Sequence, residues 1–208
     1  MEFQGVKNLI IDFGGVLIDL DRQRCLEEFK KLGLRKAEEC IGTFSQEGVF
    51  QSLEKGEITP PEFRDAIRTQ VGEPVTDEQI DAAWNSLLVS IPSYKLDLLL
   101  RLRERYVVYL LSNTNPIHWE WVCKHAFPWR TFRVENYFEK TYLSYEMKML
   151  KPDPEIFTAL LEDTSIDPGE TLFIDDSPAN CLTARELGFH TYTPQEKEDW
   201  SPVFDLKK

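Results

Sequence analysis

The hydrophobic pattern divides this chain into two kinds of segment. Leu9 to Ile11, Val107 to Leu111 and Leu172 to Ile174 are uninterrupted runs of branched and aromatic residues, the pattern of strands buried on both faces. Between the first and second runs, from about Asp21 to Ser90, polar and apolar residues alternate at helical spacing with no convincing strand. Asp21 is a candidate N-cap for a helix over Arg22 to Lys31 that Gly33 stops, and a short helical piece covers roughly Arg35 to Cys40. Thr59-Pro60-Pro61-Glu62 sets a cap and prolines at the first turn of a helix through Gln70. Thr76 with Gln79 makes a capping box opening a helix toward Ser90, with Ile80, Ala83, Trp84, Leu87 and Leu88 on one face.

From Tyr94 onward helices and strands alternate. The pattern predicts a helix near Tyr94 to Glu104, a strand over Tyr106 to Leu111, a helix around His118 to His125 and a short strand near Tyr142 to Ser144. It continues with a helix over Asp153 to Glu162, a strand over Thr171 to Ile174, a helix over Pro178 to Leu187 ending at Gly188, and a strand near His190 to Thr193. Such alternation implies an α/β fold, a doubly wound parallel sheet with helices on both faces. The expected division is a core of residues 1–20 and 91–208, with the helical block 21–90 inserted after the first strand.

Chemistry enters where the strands stop. In an open parallel sheet, ligands bind beyond the carboxyl ends of the strands. Asp12 follows the first run, Ser112 and Asn113 the second, and Asp175 and Asp176 the run at Leu172 to Ile174. Lys151 opens a Lys-Pro-Asp-Pro stretch in which Pro152 and Pro154 stiffen the approach to a helix. A carboxylate, a hydroxyl, a lysine and a carboxylate pair would then meet at one sheet edge, as phosphoryl transfer requires. Asp12 is the candidate nucleophile, since a carboxylate can attack phosphorus and split one hard step into two. Asp175 and Asp176 repel each other unless a cation sits beside them, and Mg²⁺ suits such hard oxygen ligands. Lys151 would balance the charge of nucleophile and phosphate. Each residue also has a plainer reading: Asp12 as a turn residue, Ser112 to Asn115 and Asp175 to Ser177 as helix caps, Lys151 as a solvated charge.

Composition narrows the field. With a net charge of −12, nucleic acid and anionic membrane are excluded as nonspecific partners, because both call for basic patches. No apolar run reaches the length of a membrane span and the N-terminus lacks a secretory pattern, so a cytoplasmic protein is expected. Cys25, Cys40, Cys123 and Cys181 lack disulfide or zinc spacing and read as reduced thiols.

The four motifs, Ile10 to Val16, Leu111 to Thr114, Lys151-Pro152 and Phe173 to Ser177, resemble in order those of the haloacid dehalogenase (HAD) superfamily, over Asp12 to about Gly188. Its members are mostly Mg²⁺-dependent phosphatases. The resemblance implies a Rossmann-like core with a cap that closes over the site and selects a small phosphorylated substrate. It further implies that the Ser112 hydroxyl and a neighbouring backbone N–H, beside Asn113, hold phosphate. Asp12, the Gly14 carbonyl and Asp176 would ligate Mg²⁺, with Asp175 and Asn180 in support. Lys148 is a weaker rival to Lys151. Asp19 and Asp21 read as linker or cap residues, and His118 and His125 as surface or packing residues. The aromatic set Trp119, Trp121, Phe127, Trp129, Phe132, Tyr137 and Phe138 reads as core and helix cover.

One position departs from the family. Its first motif usually reads Asp-x-Asp, and the second carboxylate, which protonates the leaving alkoxide, is here Gly14. Three explanations stand open. The substrate has an easier leaving group, such as a sugar 1-phosphate; a cap residue (Glu54 or Glu57) or water supplies the proton; or catalysis is lost and the protein binds a phosphorylated ligand. A bacterial subgroup that includes a glucose-1-phosphate phosphatase looks similar in its Gly, its Ser-Asn-Thr-Asn and its paired Asp. Metal-independent dehalogenation also avoids protonation, but would leave Asp175 and Asp176 unneutralised.

Overall fold

The computed structural model describes residues 5–43, 46–127 and 131–204. Five strands, β1 (Asn8–Ile11), β2 (Val107–Ser112), β3 (Lys140–Leu143), β4 (Thr171–Ile174) and β5 (His190–Tyr192), form one sheet in the order β3-β2-β1-β4-β5. Every neighbouring pair is parallel. The strand order reverses between β1 and β4, which is where a crevice opens at the carboxyl edge of such a sheet. In register, Ile11 pairs with Leu110 and Ile174, so the residues that follow β1 and β4 emerge side by side.

Among the described residues five helices lie between β1 and Ser90: α1 (Arg22–Leu32), α2 (Ala37–Cys40), α3 (Val49–Glu54), α4 (Pro60–Val71) and α5 (Asp77–Asn85). Six more follow: α6 (Ser93–Leu102), α7 (Pro116–His125), α8 (Val134–Tyr137), α9 (Ser144–Met147), α10 (Pro154–Thr164) and α11 (Pro178–Glu186). The two-residue period of the strands sorts the core. Leu9, Ile11, Val108, Leu110, Leu172 and Ile174 pack on one face with α6, α7 and α8. Ile10, Tyr109, Leu111 and Phe173 pack on the other with α10 and α11. Phe127, Tyr137 and Phe138 are buried in the first layer, with Trp119, Trp121 and Phe132 packed against it. Trp129 lies outside the described residues.

The inserted helices have a core of their own, in which Phe29, Phe50, Phe63 and Trp84 stack around one another. The expected caps are present: Asp21 accepts from the Arg24 N–H at 2.9 Å, and capping boxes at Thr59/Glu62 and Thr76/Gln79 open α4 and α5. Helix α5 is shorter than the pattern suggested. It ends at Asn85, and Leu87 and Leu88 are buried in the turn beyond it rather than along its face. There the two connections between the blocks pair: the Asp19 N–H bonds Ser90 O at 3.0 Å and the Asp21 N–H bonds Leu87 O at 2.8 Å. Helices α3, α8 and α9 were not anticipated, since four to six residues are too few to display a helical period. No helix among the described residues is long and apolar enough to cross a membrane.

Candidate active site

Asp12 leaves β1 at the strand-order reversal, its N–H bonded to Ile174 O at 2.9 Å, so backbone pairing alone sets it beside Asp175. Between them the Lys151 ammonium donates to Asp12 Oδ1 at 2.6 Å, Asp175 Oδ2 at 2.7 Å and the Leu111 carbonyl at 2.8 Å. Its side chain is 1% exposed. Burial alone would drive off its proton, but Asp12 and Asp175 outweigh that and hold Lys151 firmly charged.

Asp175 is spoken for on every side. Besides Lys151 it accepts from Asn180 Nδ2 at 3.0 Å on both oxygens and from the Ser177 N–H at 2.8 Å. It therefore positions Lys151, while Asp176 is the carboxylate left open to the crevice. Asn113 holds the lysine from its backbone: its Nδ2 donates to Lys151 O and its Oδ1 accepts from the Lys151 N–H, both at 2.9 Å. With the side-chain amide committed, only the Asn113 backbone N–H remains to meet a phosphate. Asn115 is the N-cap of α7, as expected of a residue after the Ser112 turn.

The charge balance of this cluster calls for a cation. One carboxylate oxygen each from Asp12, Asp175 and Asp176 lie within 4.8 Å of one another, against the single Lys151 ammonium. Burial, with Asp175 and Asp176 nearby, pushes Asp12 up to about 7 despite Lys151. Burial and Asp175 likewise push Asp176 up to about 6. Carboxyls pushed up in this way are what a shortage of positive charge produces, and hard oxygen donors of this kind fit Mg²⁺. Gly15 makes the close approach possible: at φ +73°, a Cβ there would lie 2.2 Å from Asp176 Oδ2.

A cavity of about 90 Å³ lies over Asp12, lined also by Ser112, Lys151, Asp176, Glu54 and His118. It adjoins a cleft of about 770 Å³ between the helical block and the core, and Thr43, Gln46 and Asp176 line both. The cleft falls in the size range of small-molecule sites, roughly 300–1,000 Å³. His118 is a packing residue, its Nε2 3.1 Å from Trp84 O and its ring against the indole, and burial lowers it to about 4. Glu57 is exposed and bonded to Ser52 and Lys55, whereas Glu54 is buried. Lys148 bonds the Gly56 carbonyl and takes no part in the cluster. Two contributors escaped the sequence reading. Gln46 is buried, its Oε1 without a hydrogen-bond partner among the described residues, and nothing in its surroundings in the chain signals that. Ser144, just after β3, accepts from the Thr114 N–H at 2.9 Å and could have been found by the strand-end rule.

Known proteins resemble this chain over nearly its whole length. The sequence profile of the haloacid dehalogenase-like hydrolases matches residues 6–188. A D-ribitol-5-phosphate phosphatase of Bacteroides thetaiotaomicron is 40% identical over 195 residues, 94% of this chain and 95% of that protein. A HAD family enzyme of the same organism, crystallised in complex with magnesium and inorganic phosphate, is 67% identical with a TM-score of 0.91, covering 96% of this chain and 99% of that one. L-2-haloacid dehalogenase of Xanthobacter autotrophicus shares the fold at a TM-score of 0.58 and 17% identity, over 89% of this chain and 76% of that one. Fold, motif order and these likenesses agree: the chain belongs to the haloacid dehalogenase-like hydrolase family.

Proposed function

We propose that this chain is a Mg²⁺-dependent phosphatase acting on a small phosphorylated metabolite through an aspartyl-phosphate on Asp12. The observation that carries this reading is the buried Lys151 ammonium bonded at once to Asp12 and Asp175, beside the open carboxylate of Asp176. Lys151 favours the ionised form of Asp12 and orients one of its oxygens, leaving the other to attack phosphorus; the ester oxygen departs and water then hydrolyses the acyl phosphate. Ser112 Oγ and the Asn113 N–H hold the nonbridging oxygens, and Lys151 offsets their charge. Asp12, the Gly14 carbonyl and Asp176 would hold Mg²⁺, which when bound neutralises charge on the phosphoryl oxygens. A metal-independent dehalogenase is the poorer reading, because it leaves Asp176 uncompensated beside Asp175.

In this reading residues 21–90 act as the cap and 1–20 with 91–208 as the catalytic core. The phosphate occupies the smaller cavity and the body of the substrate lies in the adjoining cleft. The four free thiols suit the reducing cytoplasm. Likeness to a D-ribitol-5-phosphate phosphatase makes a pentitol 5-phosphate the first ester to try, beside sugar 1-phosphates. The test is a screen of purified protein against phosphate esters with Mg²⁺ or with EDTA. Release of inorganic phosphate that disappears in EDTA is expected. Binding of an ester without release from any of them would mean a phospholigand-binding protein instead.

Gly15→Ala tests the metal arrangement. The added methyl displaces the Asp176 carboxylate, and the Mg²⁺ dissociation constant measured by calorimetry should rise by about 10–100-fold, the cost typical of disturbing groups that orient metal ligands. Unchanged affinity would remove Asp176 from the ligand set.

A further inference from the structure

The leaving alkoxide needs a proton, and Gly14 has none to give. A Cβ on Gly14 would meet Leu20 Cδ1 at 3.3 Å, a tight contact with the tip of that side chain. The donor has to come from elsewhere in the cavity over Asp12. Its lining offers five titratable side chains: Asp12, Asp176, Lys151, His118 and Glu54. Asp12 and Lys151 are committed to each other and Asp176 to the cation. His118 is neutral, and its Nε2 proton is given to the Trp84 carbonyl, so its remaining ring nitrogen can only accept. That leaves Glu54.

Glu54 has the properties of an acid held ready. It is 8% exposed, and among the described residues its carboxyl meets no cation and no hydrogen-bond donor. Burial alone pushes it up to about 8, so it carries a proton at neutral pH. Its position is clamped to the core. The Glu54 carbonyl accepts from Ser144 Oγ at 2.6 Å, and that same oxygen takes the Thr114 N–H two residues beyond Ser112. One turn on, Lys148 bonds the Gly56 carbonyl, and Gly56 (φ +66°) packs so closely that a Cβ would lie 2.2 Å from Tyr145 O. The end of α3 is thus tied through Ser144 to the loop that follows β2, and Glu54 lines the same cavity as Asp12.

We propose that Glu54, supplied by the helical block, is the general acid and base of the phosphatase, in place of the carboxyl that Gly14 lacks. The inference rests on the phosphatase reading above. In the first step an Asp12 oxygen bonds to phosphorus and the P–O ester bond breaks. Its electron pair stays on the ester oxygen, which takes the Glu54 proton and departs as the alcohol. In the second step Glu54, now a carboxylate, accepts a proton from water as the water oxygen bonds to phosphorus. The Asp12–phosphorus bond breaks, inorganic phosphate leaves, and Asp12 and Glu54 regain their starting forms.

The test is the dependence of kcat/KM on leaving-group basicity, because that ratio reports the step in which the ester bond breaks. A series from p-nitrophenyl phosphate to alkyl phosphates is measured for the parent enzyme and for Glu54→Gln, which keeps size and neutrality but has no acidic proton. The variant should lose about 10²–10⁴-fold on the alkyl esters, the range typical for removal of a general acid, and at least ten times less on p-nitrophenyl phosphate, whose leaving group needs little help. Parallel slopes for the two proteins, at any absolute rate, would overturn the assignment. If Glu54→Gln does not fold, the parent enzyme decides alone. Above about pH 8, kcat/KM on alkyl esters should fall relative to p-nitrophenyl phosphate. Asp12, Lys151, Asp176 and His118 serve both esters alike and cancel in that ratio; a constant ratio would overturn the assignment. A parent enzyme that hydrolyses no ester would instead sink the phosphatase reading itself.

Discussion

Asp12→Asn should abolish turnover while leaving the fold intact. An amide nitrogen cannot attack phosphorus and the remaining amide oxygen is a far poorer nucleophile, so kcat should drop by on the order of 10⁴–10⁶-fold, the scale seen when a covalent nucleophile is removed. The fold should survive because Lys151 keeps Asp175 at 2.7 Å and the Leu111 carbonyl at 2.8 Å, so no buried charge is left unpaired. Losing a carboxylate also relieves repulsion with Asp175 and Asp176, which help hold Asp12 above its ordinary range. Steady-state kinetics and thermal melting together check this. A variant that melts like the parent yet retains even a hundredth of its turnover would rule out attack by Asp12.

Lys151→Met should do the opposite to stability. Among the described residues it removes the one cation bonded to both Asp12 and Asp175, and the Asp175 side chain is fully buried. Removing one partner of a buried pair typically costs about 3–5 kcal/mol, because the other charge stays behind without compensation. For a chain of this size that is a fall in melting temperature of roughly 10 °C. Activity should fall as well, by about 10²–10³-fold, the effect of losing one preorganised group that stabilises developing charge. Adding Asp12→Asn to Lys151→Met should restore part of the lost stability, since a smaller buried charge is then left unpaired. If Lys151→Met melts within a degree of the parent, the ammonium is not what holds these carboxylates together.

The legible part of the site is the part that sits on strand ends. Asp12, Ser112, Asp175 and Asp176 each follow an apolar run, and a parallel sheet necessarily collects such residues along one edge. The cap at Thr59 and the capping box at Thr76 were legible for a similar reason, because residues three apart bond within a single turn. What stayed hidden depends on contacts between distant segments. Glu54 and Glu57 stand in the same stretch and look equally suited to donate a proton, yet one is buried over Asp12 and the other pairs with Lys55 in solvent. Nothing local shows that the side-chain amide of Asn113 holds the backbone of Lys151, 38 residues away. Ser144 joins Glu54 to the core across 90 residues, a link no local pattern contains.

The amino-acid order by itself therefore determined the alternating architecture, the helical insertion and the candidate groups for chemistry, because hydrophobic period, caps and strand ends are local properties. Tertiary structure alone decided which of these groups share a cavity, how much charge that cavity must neutralise and which carboxyl keeps its proton. Those outcomes follow from desolvation and from distances between segments far apart in the chain, and both exist only once the helical block is seated on the sheet.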